Sequence, residues 1–276
     1  YGRVHGLRLT RDVFSGLCRG FGFVKMEGHE ARAAIGDEPF VLVFGDNMTG
    51  YRLSRLVEDY QERSAPALLA VCEGGDPHRQ AVVSVQGDRV CLIEERPGVA
   101  RSPYTSAGMY AFDSSIFPAI EKVQPQENGE YYLPHAIQIL IDSGVKVSYT
   151  VADGWRVNIN DPADLLRALQ HVLEDEARAR HQEPVPWNAA EVAFAGEVRL
   201  LGDVRFGRYT YIGNGCTIGH NTCISNTIVM DNVTIGANCV ICNAILGEGV
   251  HVPDGTCTER KGAPIVVPDG HVLSLS

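Results

Sequence analysis

The chain has 276 residues, 45% of them hydrophobic, enough for one large domain or two ordinary ones with real cores. No apolar run approaches the roughly 18 residues of a membrane-crossing helix, and the opening Tyr1-Gly2-Arg3-Val4 lacks the basic and apolar regions of a signal peptide. Net charge is −10, yet residues 1–36 hold six basic side chains (Arg3, Arg8, Arg11, Arg19, Lys25, Arg32) against three acidic ones (Asp12, Glu27, Glu30), so a basic head precedes an acidic body. Eight cysteines in a chain of this size fit reduced thiols and a cytoplasmic setting, and the missing initiator Met suggests a trimmed start.

In the head, Val4, Leu7 and Leu9 mark an extended segment, and Thr10-Arg11-Asp12 a polar turn. After a loop from Val13 to Cys18 comes Arg19-Gly20-Phe21-Gly22-Phe23-Val24-Lys25-Met26, and Glu30 to Ile35 opens a helix. Period-two alternation puts Arg19, Phe21 and Phe23 on one face of a strand. These eight residues resemble the RNP1 strand of an RRM domain, departing only at Met26. The resemblance implies RNA as a partner, with Phe21 and Phe23 stacking bases beside Arg19. It covers half a domain, so the alternative is a hairpin-plus-helix scaffold with those aromatics idle.

Phe40-Val41-Leu42-Val43-Phe44 has no polar interruption, as a strand buried on both faces requires. It ends in Gly45-Asp46, placing a carboxylate where open α/β sheets hold their ligands. Leu53, Leu56, Val57 and Tyr60 follow at helical spacing. Ala67–Val71 reads as another strand, and 80–85 with 89–93 as a hairpin. A strand over Ala107–Phe112 leads to a helix capped by Ser114 and running towards Val123. A helix over Leu133–Ile141, a strand over Lys146–Val151 and a long helix begun at Pro162 complete the middle.

In this middle segment, five places in order resemble the sugar-1-phosphate nucleotidyltransferases, particularly the glucose-1-phosphate thymidylyltransferase branch. They are the strand ending in Gly45-Asp46, then Glu95-Arg96-Pro97, then Ser106-Ala107-Gly108-Met109-Tyr110. Gly129-Glu130-Tyr131 with Ala136-Ile137-Gln138 follows, and finally Trp155–Leu165, where Asn158 stands at an Asp of the family pattern and Asn160 at a Gly. The resemblance implies that Asp46 acts in catalysis and holds Mg²⁺ with Asn158. It further implies that Arg96 faces a sugar phosphate, that Gly108 lets the sugar approach, and that Glu130 accepts from sugar hydroxyls. The family's glycine-rich triphosphate loop, Gly-Gly-x-Gly-Thr-Arg, is absent from the 276 residues. RRM-like sequence stands in its place, so the chain reads as a fusion whose catalysis is impaired, because charge stabilisation at the transferring phosphoryl group is a large part of this chemistry.

Gln182-Glu183-Pro184-Val185-Pro186 reads as a linker. Beyond it, apolar residues recur every six positions at Leu200, Phe206, Ile212, Ile218 and Ile224, and again at Ile235, Ile241, Leu246 and Val252. This hexapeptide period predicts a parallel β-helix and resembles the left-handed form appended to many nucleotidyltransferases. Cys239-x-x-Cys242 near Cys216 and Cys223 has zinc-like spacing, but the repeat accounts for Cys216 and Cys239 as small inward residues. An acyltransferase role for the tail has only His220 and His251 as loop candidates.

The expected fold is therefore α/β: an RRM-derived ββα head over 1–36 completing a mixed sheet, a truncated Rossmann-type nucleotidyltransferase core over 37–181, and a left-handed β-helix over 189–276. The expected partners are a sugar phosphate or nucleotide sugar, or RNA, and no membrane; a homo-oligomer is left open.

Overall fold

The computed structural model describes residues 6–11, 18–25, 35–180, 191–259 and 262–274. The body of the chain forms two compact units, one within residues 24–156 and one within 157–276. The expected linker at 182–186 and residues 30–34 of the expected head helix lie outside the described residues.

Strands β1 (Gly6–Arg11) and β2 (Cys18–Lys25) pair with each other in a two-stranded sheet. Among the described residues, neither belongs to the larger sheet formed by later strands, so the single sheet expected to join head and body is instead two. Arg19, Phe21 and Phe23 lie on β2, but their side chains are outside the described set, so a base-stacking face there rests on the sequence alone.

The first unit is built on six strands in the order β3-β8-β5-β9-β7-β6: β3 (Phe40–Val43), β5 (Ala67–Glu73), β6 (Ala81–Gln86), β7 (Arg89–Glu95), β8 (Tyr104–Phe112) and β9 (Val147–Val151). Only β5 and β9 run parallel; the other pairings are antiparallel, and the first residues of β8 also pair with β6. Alternation along the central strands covers both faces. Leu69, Tyr110 and Phe112 point into one core, against α2 (Ile116–Ile120) and α3 (Leu133–Asp142). Leu68, Met109 and Ala111 point into the other, with Leu56 of α1 (Leu53–Arg63). Each large apolar side chain buried this way contributes about 1.5–3 kcal/mol.

Three expectations are corrected here. The strand β3 is an edge among the described residues and is not buried on both faces: β8 is its one described partner, and Val41 and Val43 are 39% and 38% exposed. The α1 stripe is only half used, since Leu56 is buried while Leu53 and Val57 stay in solvent. Pro39, Phe40, Val41, Val57 and Tyr60 accordingly border an open apolar recess. Finally, α2 is short, and Ser114 does not cap it; the carboxylate of Asp113 accepts from the Ser115 N–H at 2.9 Å.

In the second unit, α4 (Pro162–Arg180) packs Leu166 against Ile228 and Ile245 of a parallel solenoid. The solenoid strands fall on three faces. One holds β11 (Val192–Phe194), β14 (Thr210–Ile212), the second half of β16 (Thr222–Val229) and of β18 (Val240–Leu246), and β20 (Ile265–Val267). Another holds β12 (Val198–Leu201), β15 (Cys216–Gly219), β17 (Thr234–Ile235) and β19 (His251–Val252). The third holds β13 (Val204–Phe206) with the first halves of β16 and β18. The six-residue period is thus one face per repeat. Ile212, Ile218, Ile224, Ile235, Ile241, Leu246 and Val252 fill the interior, together with Cys216 and Cys239, whereas Leu200, expected inside, is 45% exposed in the first coil.

The corners use a device that the apolar period does not reveal. Asn221, Asn226, Asn238 and Asn243 adopt positive φ, a conformation Asn tolerates better than most residues. Their amides stack between coils, Asn221 donating to Asn238 at 3.0 Å and Asn226 to Asn243 at 3.2 Å. No helix among the described residues is long and apolar enough to cross a membrane.

Candidate functional site

The turn after β3 delivers Asp46 to an exposed position and starts β4 (Asn47–Thr49). The Asn47 amide donates to Asp46 Oδ1 at 3.0 Å, and its own Oδ1 is buried with no hydrogen-bond partner among the described residues. An orphaned buried acceptor is costly, so it marks a place where a donor or cation is expected. Beneath it lies Gly108, with φ +72°, where an added Cβ would fall 2.7 Å from Asn47 Nδ2. The space beside the glycine expected to admit a sugar therefore holds the Asn47 side chain. Both main-chain groups of Gly108 are also engaged. Its N–H donates to Ser106 Oγ at 3.2 Å, and its carbonyl accepts from the Phe44 N–H at 2.9 Å.

Ser106 ties this turn to the core. Its hydroxyl pairs with the Tyr110 hydroxyl at 2.7 Å, and its carbonyl accepts from Arg156 Nη1 at 2.7 Å. Burial pushes the Tyr110 phenol up to about 12, the Ser106 hydrogen bond opposing, so Tyr110 stays protonated at neutral pH. The Glu95 charge adds to that rise.

At the end of β7, burial raises the Glu95 carboxyl above the usual range, with the charges of Arg96 and His135 opposing. Arg96 Nε meets Glu95 Oε1 at 3.1 Å from a left-handed backbone, φ +44°. A non-glycine residue held there costs of order 1–3 kcal/mol and is retained where its surroundings fix it. The surroundings here include an aromatic ring, the Arg96 guanidinium lying 5.8 Å from the centroid of Tyr132.

Tyr132 joins this cation to the acid of the next motif. Its hydroxyl donates to Glu130 Oε2 at 2.9 Å. Asn128 Nδ2 donates to the same oxygen at 2.9 Å and to the Tyr132 hydroxyl at 2.8 Å. The turn closes with the Glu130 N–H donating to Asn128 Oδ1 at 3.0 Å, and Gly129 supplies the positive φ the turn needs. His135 abuts the ring edge-on, 5.7 Å between centroids. Arg96, Glu130, Gly108 and Asp46 thus all belong to the first unit. Arg96 and Glu130 are linked through one side chain, whereas Gly108 and Asp46 meet at Asn47.

Asn158, on β10 (Arg156–Asn158), falls in the second unit, and its Oδ1 is buried without a partner among the described residues. Magnesium takes oxygen ligands and keeps several waters. The exposed Asp46 carboxylate is a ligand of that kind for a largely hydrated cation, whereas Asn47 turns its Nδ2 towards Asp46 and keeps its Oδ1 buried on the other side of the amide. No group of three His, Cys, Asp or Glu forms a metal cluster among the described residues. Cys216 and Cys239 point inward, their thiols donating to carbonyls of Met230 and Pro253. The sequence assigns no role to Asn47, Asn128, Tyr132 or Arg156. Only Asn47 and Tyr132 carry a local signal, as polar neighbours of Asp46 and Glu130.

Residues 29–175 match the nucleotidyl transferase family model, and residues 190–266 match the C-terminal domain of GMPPB. Among curated proteins, the chain is 27% identical over 270 residues to the low-salt glycan biosynthesis nucleotidyltransferase Agl11 of Haloferax volcanii, covering 89% of this chain and 74% of that protein. It is 27% identical over 226 residues to a glucose-1-phosphate thymidylyltransferase of Streptomyces antibioticus, covering 81% and 57%. It is 34% identical over 146 residues to the UTP–glucose-1-phosphate uridylyltransferase AglF of Haloferax volcanii, covering 52% and 60%. The chain therefore spans little more than half the length of the last two relatives.

Proposed function

Because the chain belongs to the nucleotidyl transferase family, we propose that its first unit holds a sugar 1-phosphate between Arg96 and Glu130, and that its reaction is nucleotidyl transfer to that phosphate. The observation that carries this reading is Tyr132, whose ring faces Arg96 and whose hydroxyl meets Glu130. A phosphate needs the cation and a sugar needs the acceptor, and a single side chain fixes the two relative to each other. In the reaction, an oxygen of the sugar phosphate attacks the α-phosphorus of a nucleoside triphosphate. The bond from that phosphorus to the bridging oxygen breaks, and pyrophosphate leaves.

Arg96 offsets the charge of the incoming phosphate, and Glu130 accepts from a sugar hydroxyl. Protonated Tyr110 and Ser106 hold the Gly108 turn in place. Asp46 is the proposed catalytic carboxylate and, beside Asn47, the proposed anchor for Mg²⁺, which when bound neutralises phosphate charge.

The 276 residues contain no Gly-Gly-x-Gly-Thr-Arg segment to cradle a triphosphate with backbone N–H groups. Pyrophosphate release, measured with a panel of nucleoside triphosphates and glucose 1-phosphate, tests the reading. It expects release that needs both substrates and Mg²⁺ and falls to background in Arg96→Ala. Release that ignores the sugar phosphate or survives Arg96→Ala would overturn it.

A further inference from the structure

Resting on that reading, we propose that Tyr132 is the positioning residue that sets sugar specificity, by fixing which oxygen of Glu130 faces the substrate. Glu130 Oε2 accepts from both the Tyr132 hydroxyl and Asn128 Nδ2, each at 2.9 Å. Oε1 has no protein partner among the described residues. A carboxylate held in this way accepts from one sugar hydroxyl through one oxygen and does not chelate a vicinal diol through two. Asn128 Nδ2 has one N–H for Glu130 and one for the Tyr132 hydroxyl, so it ties the two together, and the Tyr132 hydroxyl is the second donor that commits Oε2 to the protein.

The same ring carries the second half of the argument. The Arg96 guanidinium lies over it at 5.8 Å, so the distance between the phosphate-facing cation and the sugar-facing oxygen is set by a rigid aromatic side chain with a single hydroxyl at its tip. The two functions are separable. Tyr132→Phe keeps the ring under Arg96 and removes only the donor to Glu130, whereas Tyr132→Leu removes both. An ordinary packing role for Tyr132 would not distinguish the phosphate end from the sugar end of a ligand.

The test is competition binding of glucose 1-phosphate and its 2-, 3-, 4- and 6-deoxy analogues to the full chain, with inorganic phosphate as a probe of the Arg96 end. The wild type is expected to reject one deoxy analogue by about tenfold or more, as loss of one hydrogen bond to a charged group implies. In Tyr132→Phe that ratio falls to about twofold while phosphate binding is unchanged, and in Tyr132→Leu phosphate binding weakens as well. Equal discrimination by Tyr132→Phe and wild type overturns the inference, as does a wild type that binds glucose 1-phosphate but rejects no analogue. A wild type that binds no sugar 1-phosphate overturns the underlying reading itself, so the two failures are distinguishable.

Discussion

The side chain of Asn47 occupies the volume that a Cβ at Gly108 would need, its Nδ2 lying 2.7 Å from that position. Gly108 also sits at φ +72°, where a left-handed backbone costs an L-residue about 1–2 kcal/mol. Gly108→Ala is therefore expected to lose about 2 kcal/mol or more, read by urea unfolding. Asn47→Ala in the same chain relieves the contact but not the backbone strain, so the double variant recovers part of the loss and the pair is coupled. Strict additivity would show that Asn47 is not what excludes a side chain at 108.

Tyr110 should titrate last among the tyrosines. Burial raises its phenol to about 12, against an ordinary value near 10. An acid whose folded pKa is raised favours the protonated form, so its contribution to stability is complete below about 10 and is lost as pH rises towards 12. Absorbance titration should show a lagging phenolate that disappears in Tyr110→Phe. Titration of all tyrosines near the ordinary value would contradict the buried pairing with Ser106.

The solenoid corner at Gly213 should tolerate no side chain. A Cβ there would lie 2.5 Å from both Asp231 Oδ1 and the Met230 carbonyl carbon, and Asp231 Oδ1 accepts from the Asn214 N–H at 2.8 Å. Coils of a solenoid lean only on their neighbours. Gly213→Ala is thus expected to lower hydrogen-exchange protection in the coils around residues 198–246 while leaving β5 and β8 of the first unit unchanged. Protection lost equally in both units would contradict this.

The edge strand β3 leaves Val41 and Val43 exposed, and Val41 borders an open apolar recess with Val57 of α1. An open apolar edge invites pairing with another chain. Val43→Lys should reduce concentration-dependent association in sedimentation velocity with no loss of unfolding stability beyond about 0.5 kcal/mol. A large stability loss would mean that the Val43 side chain is covered in solution.

Much of the second unit was legible in the sequence because each hexapeptide puts one aliphatic residue on the inside, and Ile212 through Val252 do so. The Asn corners were not, since positive φ at Asn221 or Asn238 leaves no apolar period. In the first unit, the strands came through where runs were long, as at Ala67–Glu73 and Tyr104–Phe112. The run Phe40–Phe44 was legible as a strand but not as an edge, because apolarity records what a residue tolerates, not which neighbours are present. Asp46, Arg96, Gly108 and Glu130 were picked out by motif as candidates. Asn47 and Tyr132 were not, because their roles depend on two turns folding back: Phe44–Asn47 over Gly108, and Gln126–Glu130 towards Arg96.

The central claim is that Arg96 and Glu130 grip opposite ends of one sugar 1-phosphate. Isothermal titration of glucose 1-phosphate into the full chain, Arg96→Ala and Glu130→Gln tests it most directly, with inorganic phosphate as a second titrant. Both substitutions should weaken glucose 1-phosphate by about tenfold or more, and only Arg96→Ala should weaken inorganic phosphate. Unaltered glucose 1-phosphate affinity in both variants, or no binding by the wild type, would contradict the account.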